Sequence, residues 1–243
     1  MLDQNLDLFT KLEYLFLTPP WILQSGHYNS DLIMNLNWRV LPRADAMRIV
    51  AAVNPFLGEY ALPPGTSPVR QAKLSFYDNY QFFELTDIRE AQPKSMFALH
   101  NPSGGEDATF VMDWTNRPIY TVNEQDPITL RTDNMADYLG FFFACVQGPY
   151  GPMTVVENLD PPSDASDEVK QRVKEVLRMT PPKVVNFDRA SGTFTVYAGM
   201  LFKDCIFKTK MEVGSNGLIQ IIDHELAIGA LSDQAQAPEA AAR

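Results

Sequence analysis

Residues 133–158 read DNMADYLGFFFACVQGPYGPMTVVEN, and the fold turns on how this stretch is read. Met135, Tyr138, Leu139, Phe142 and Val146 recur at helical spacing, and Phe141, Phe143, Ala144 and Cys145 make the remaining faces apolar as well. The pattern predicts a helix over about 134–147 that must be buried on nearly every side. Asp133 or Asn134 can cap its first amides, and Gly148 followed by Pro149 supplies a terminator. After the GPYGP turn, Met153 to Val156 reads as a short buried strand.

Further helices are predicted on either side. Downstream, Val169, Val173, Val176 and Leu177 give one apolar stripe to a helix over about 164–179, with acids near its start and bases further along. Upstream, amphipathic spacing predicts helices over about 3–17 and 43–53. Strands fill the intervals. Leu74 to Tyr77 and Gln81 to Leu85 read as one hairpin, Met96 to Leu99 and Thr109 to Trp114 as a second, and Ile119 to Val122 as a further strand. Val184 to Phe187, Thr193 to Ala198, Cys205 to Val213 and the LIQII segment complete the set. The expected class is α+β, a mainly antiparallel sheet around a buried central helix. The Gly- and Pro-rich run GEYALPPGTSP suggests a mainly helical segment over 1–65, a main domain over 66–232, and a low-complexity tail over 233–243.

Apolar residues make up 45% of the chain and aromatics 11%, enough to fill a substantial core at 243 residues. The formal net charge of −10 disfavours sequence-independent binding to nucleic acid or anionic lipid. The N-terminus lacks the basic and apolar regions of a secretory signal, and no run of about 18 apolar residues follows, so a cytoplasmic, non-membrane protein is expected. Two cysteines, Cys145 and Cys205, read as buried free thiols rather than a disulfide framework.

The chain holds no GxSxG, P-loop, GxGxxG, HExxH or EF-hand sequence. His27, His100 and His224 have no ligand spacing, and neither metal nor cofactor is expected. The candidate site residues are Asp113, Trp114, Asn116 and Glu157. Asp113 and Glu157, with Asp223 and Glu225, fall at or beyond the ends of predicted strands, where two carboxylates can converge for acid/base or binding work. Trp114 and Asn116 belong to DWTNRPIY, which reads either as a recognition surface or as an Asx-turn with the indole covering the core. Tyr150 between Gly148 and Gly151 reads either as a site residue or as part of a tight turn.

The phrases DWTNRPIY, ADYLGFFF and CIFKTKMEV-turn-LIQIIDHE together resemble a group of bacterial proteins of unknown function, over about residues 70–228. The resemblance implies a bacterial origin and a single architecture, and no activity. Acidic charge without catalytic motifs makes the leading expectation a non-enzymatic binding or interaction protein with an acidic surface, of the immunity-protein kind, whose partner is another protein. The alternative is a small-molecule-binding or hydrolytic domain using the strand-end carboxylates. A third reading makes Trp21 to Leu23 and the first helix an oligomer interface; the sequence leaves the oligomeric state open.

Overall fold

The computed structural model describes residues 36–231 apart from 90, 92, 106–107, 149–150, 162–164 and 230. The helix expected over 3–17, Trp21 to Leu23, His27, Tyr150 and the tail lie outside the described residues. Among the described residues the fold is α+β, with four α-helices and two antiparallel sheets. Contacts group the chain into two units, one running to Thr129 and including Ala144–Tyr150, the other comprising Leu130–Phe143 and the chain from Gly151 onward. The turn-rich stretch 58–68 lies inside the first unit.

In the first unit, β1 (Arg39–Val40), β2 (Val69–Ala72), β3 (Gln81–Asp87), β4 (Lys94–His100) and β5 (Thr109–Val111) form a sheet in that order. Strand alternation puts Phe83, Leu85, Met96 and Ala98 on one face, where they meet Val50 and Val53 of helix α1 (Arg43–Val53) in a single buried cluster. Glu84 faces the other way and is also buried. Its carboxylate is tolerated because Arg70 Nε donates to it at 2.6 Å, with the guanidinium lying 5.0 Å from the Trp38 ring.

Three expectations fail in this unit, the simplest being that the strand expected over Thr109 to Trp114 ends at Val111. The partner of β3 is Val69–Ala72 rather than Leu74 to Tyr77, which belongs to the connection between the strands. Arg70 and Gln71 hide the true strand from a hydropathy reading, while Phe76, Tyr77 and Tyr80 are buried from within a turn, Tyr77 Oη donating to Asn123 Oδ1 at 2.6 Å. Ile119 to Val122 is not a strand but part of helix α2 (Arg117–Gln125). Pro118 in its first turn presets φ and gives up only an amide with no intrahelical acceptor, and Ile119, Val122 and Asn123 bury one helical face.

Helix α3 (Met135–Cys145) carries seven buried side chains, Met135, Tyr138, Leu139, Phe141, Phe142, Phe143 and Cys145. The boundary between the units falls within it, after Phe143. It ends earlier than expected, and Gly148 is not its terminator. Val146 forms a parallel bridge with Trp114, the Gln147 amide donates to the Trp114 carbonyl at 2.8 Å, and β6 (Gln147–Gly148) is extended.

In the second unit, β7 (Gly151–Val155), β8 (Lys183–Asp188), β9 (Thr193–Phe202), β10 (Cys205–Gly214) and β11 (Ile219–Ile228) pair antiparallel around β9. β7 is half-buried rather than buried. One side of β9 holds β10 and then β11. The other side is shared, β8 pairing with residues 193–197 and β7 with residues 200–202. Helix α4 (Asp167–Met179) starts where Ser166 Oγ accepts from the Val169 amide at 3.3 Å. Its Val173, Val176 and Leu177 pack with Ile206, Ala227 and Ile228 on one sheet face.

That face has a sharp limit. Between the β7 and β8 segments, the Gly199 amide donates to the Thr180 carbonyl at 2.9 Å, and a Cβ on Gly199 would stand 2.8 Å from Thr180 Oγ1. Thr180 is itself held by its hydroxyl donating to the Val176 carbonyl at 2.8 Å. Gly199→Ala is therefore expected to lower the urea midpoint by the equivalent of about 1–3 kcal/mol, the usual cost of overpacking. Adding Thr180→Ala should recover part of the loss; a double variant no more stable than Gly199→Ala would show that this close approach is not the cause.

Candidate functional site

Past the end of α4 the sheet face changes from apolar to charged in successive cross-strand rows. Under the helix the row is Leu201, Ile206, Ile228; the next is Gly199, Lys208, Glu225; the next is Lys183, Tyr197, Lys210, Asp223. The last two rows, apart from Gly199, line the floor of an open cleft of about 520 Å³, and Arg178, Met179 and Pro181 line it as well. Four cations and two carboxylates thus line one cleft of a chain whose net charge is −10. Among the described residues, none of the six makes an ion pair within 4.0 Å. Between them stand exposed apolar groups: Met179 keeps 62% of its surface, Val185 50% and Tyr197 45%.

Asp223 and Glu225 reach this face because of a register slip. They lie within β11, not at a strand end, and the pairing advances by one residue at Ile222, between Lys210–Asp223 and Met211–Ile221. Without that slip they would alternate onto the face of Met211 and Val213.

The first unit has a cleft of its own, about 490 Å³, with Arg39, Arg48, Gln71, Gln81 and His100 on its lining. Its polar groups are already engaged. Arg39 donates to Gln71 at 2.7 Å, Gln71 donates to Gln81 at 2.6 Å, and Arg48 pairs with Asp45. His100 Nδ1 lies 2.9 Å from Thr109 Oγ1, and burial holds its imidazole below the ordinary histidine range, against a smaller opposing effect of the Ala108 backbone.

Of the residues singled out from sequence, Asp113, Trp114 and Asn116 share one turn of the first unit, and Glu157 is exposed in the second. Asp113 Oδ1 accepts from the amide and hydroxyl of Thr115 at 3.0 and 2.6 Å, an Asx-turn. Trp114 has φ 66° and is buried, with 9% of its surface exposed, which leaves the indole little surface for recognition. The Asn116 carbonyl accepts from the Tyr120 amide as α2 begins. None of these four lines either cleft described above. Cys145 is buried, and burial pushes its thiol up, whereas Cys205 is half-buried and donates to the Gly229 carbonyl at 2.9 Å. His224 stands on β11 with its ring 6.0 Å from that of Phe207. Among the described residues no three His, Cys, Asp or Glu side chains stand together to hold a metal ion, and no helix is long and apolar enough to cross a membrane.

Sequence reasoning missed Lys183, Tyr197, Lys208 and Lys210 as site residues. Along β10 the lysines alternate with the buried Thr209, Met211 and Val213 and so face away from them, but only the strand register shows what stands beside them. No family model, curated protein or solved structure matches the chain.

The lowered His100 pKa has a definite sign for stability. The unfolded chain takes up this proton near the ordinary histidine value of 6.5 and the folded chain only at lower pH, so the contribution is present above that value and fades as pH falls through and below it. Between about pH 7 and 5, thermal stability should drop more steeply for the parent protein than for His100→Gln. Parallel curves, or a His100 resonance titrating above 6.5 by NMR, would contradict this.

Proposed function

We propose that this chain is a binding protein that engages another protein, and that the open part of the second unit's sheet face is the surface it uses. One observation carries the reading: six charged groups, none of which makes an ion pair within 4.0 Å among the described residues, surround an exposed tyrosine where α4 leaves the sheet bare. A charged rim around a protruding aromatic and the exposed Met179 and Val185 is the composition of a contact surface, with Tyr197 as its anchor. This surface is of mixed charge rather than the uniformly acidic one suggested by the overall composition. In the same reading α3, with its buried aromatic side chains, is an interior helix that contributes rigidity and no reactive groups. The likeness to bacterial proteins of unknown function is compatible with such a role and adds no activity to it.

A second reading draws on Asp223 and Glu225, which share the cleft two residues apart along β11, roughly 6–7 Å in an extended strand and within reach of a hydrolytic carboxylate pair. Each, however, stands directly across from a lysine, Lys210 and Lys208 respectively. Their charge is balanced by those neighbours rather than shared between the two acids, an arrangement suited to binding more than to proton exchange.

The test is partner recovery from lysate of the producing organism by the full chain and by Tyr197→Ala, with Arg39→Ala in the other cleft as control. A partner should be retained by the parent and by Arg39→Ala, and reduced about tenfold by Tyr197→Ala at unchanged thermal midpoint. Loss on Arg39→Ala alone, or a monomer that retains no partner at any salt concentration, would remove the basis of the proposal.

A further inference from the structure

We infer that the cleft on the second unit takes an extended acidic peptide segment, whose carboxylates meet Arg178 and Lys183 while an apolar side chain lies on Tyr197. The inference rests on the binding reading above and assigns the chemistry of its ligand. The sign comes from the strand register. Lys208 faces Glu225 and Lys210 faces Asp223 as direct cross-strand neighbours, close enough to offset one another in pairs. Arg178 and Lys183 have no such neighbour among the six, and both stand on the α4 and β8 side of the cleft. The uncompensated charge is therefore positive and localised, on a chain that is negative overall.

The chemistry of the ligand is narrowed by what adjoins those two cations. Met179, Val185 and Tyr197 are exposed beside them, so a bare inorganic anion would leave the apolar half of the surface wet. Single-stranded nucleic acid could stack a base on Tyr197, but it carries a charge on every phosphate and would bring several against Asp223 and Glu225, whereas a peptide can keep its carboxylates at the β8 end and cross β11 with uncharged residues. Extent favours a peptide over a small metabolite. From β8 to β11 the floor crosses three interstrand spacings, roughly 14 Å, the length of about four extended residues. A peptide brings carboxylates spaced along an extended backbone, and apolar side chains alternating with them.

The experiment is fluorescence anisotropy with the full chain and four labelled probes of about ten residues each. One peptide alternates Glu and Asp with Leu and Phe, a second replaces its acids with Gln, a third replaces them with Lys, and the fourth probe is a single-stranded oligonucleotide. The acidic peptide should bind at least about tenfold more tightly than the Gln peptide and weaken as salt rises. The Arg178→Ala, Lys183→Ala double variant should lose about tenfold of that affinity, and Lys183→Glu more, with folding checked by circular dichroism. Equal or tighter binding of the Lys peptide or the oligonucleotide would overturn the inference, as would acidic-peptide binding indifferent to both cations. Failure of the acidic peptide alongside Tyr197-dependent partner recovery would sink the ligand assignment and leave the binding reading standing; failure of both would sink both.

Discussion

The second unit depends on a missing Cβ at position 199. Gly199 lies in mid-strand, where glycine ordinarily weakens a sheet, but here the lost side chain lets Thr180 approach to a distance that alanine would forbid. Thr180 carries the last turn of α4 down to the sheet, and its carbonyl takes the Gly199 amide that neither β7 nor β8 reaches. The helix is thereby fixed over the row Leu201, Ile206 and Ile228 and cannot extend over Tyr197. Pro181 and Pro182 follow and favour an extended path into β8. One close approach thus decides where the apolar contact stops and where the cleft begins.

A second constraint decides what the cleft contains. The sheet face is set by parity, and β11 changes parity at Ile222 and again at Ala227. The first slip turns Asp223 and Glu225 toward the lysines of β10; the second returns Ile228 to the row covered by α4. Two bulges in one strand allow the same ten residues to supply carboxylates to the cleft and an apolar residue to the helix contact. A regular strand could not do both with this sequence.

Long amphipathic segments were legible in the sequence because their periodicity is set by burial of one face. Helix α1 and the body of α4 follow from it directly, as do β4 and β10, whereas the strand expected over Thr109 to Trp114 stops at Val111 and gives way to the turn at Asp113. Errors came where burial and ladder formation part company. Phe76 and Tyr77 are buried without being strand, and Arg70 and Gln71 are strand without being apolar. In Ile119 and Val122, β-branched side chains suggest extension while Pro118 starts a helix. The sequence reading ended β9 at Ala198, one residue before Gly199, yet the strand runs on to Phe202. That glycine signals a close approach rather than an end. The cleft was correspondingly hidden, since its rows depend on the register of β9 and on a slip at Ile222 that no Gly or Pro announces. Turn formers cluster at Asp113 and Asn116, and the Asx-turn at Asp113 accounts for much of that clustering.

On the proposed binding reading, the position of Tyr197 between Lys183 and Lys210 sets what a partner covering the cleft would have to bring. The two lysines are two interstrand spacings apart, roughly 9–10 Å at their backbones. In water at physiological salt this separation is about the screening length of roughly 8 Å, so their repulsion costs the free protein little. Any partner that covers Tyr197 displaces that salt and water, and the same two charges then interact through a medium of lower dielectric. Lys210 has Asp223 beside it to absorb the change, whereas Lys183 stands on an edge strand with no carboxylate in its row on that side. A neutral or cationic partner would have to bury that ammonium uncompensated, at a cost that rises with the quality of the fit. The contact that excludes water most completely is therefore the one that most requires the incoming segment to bring negative charge to β8.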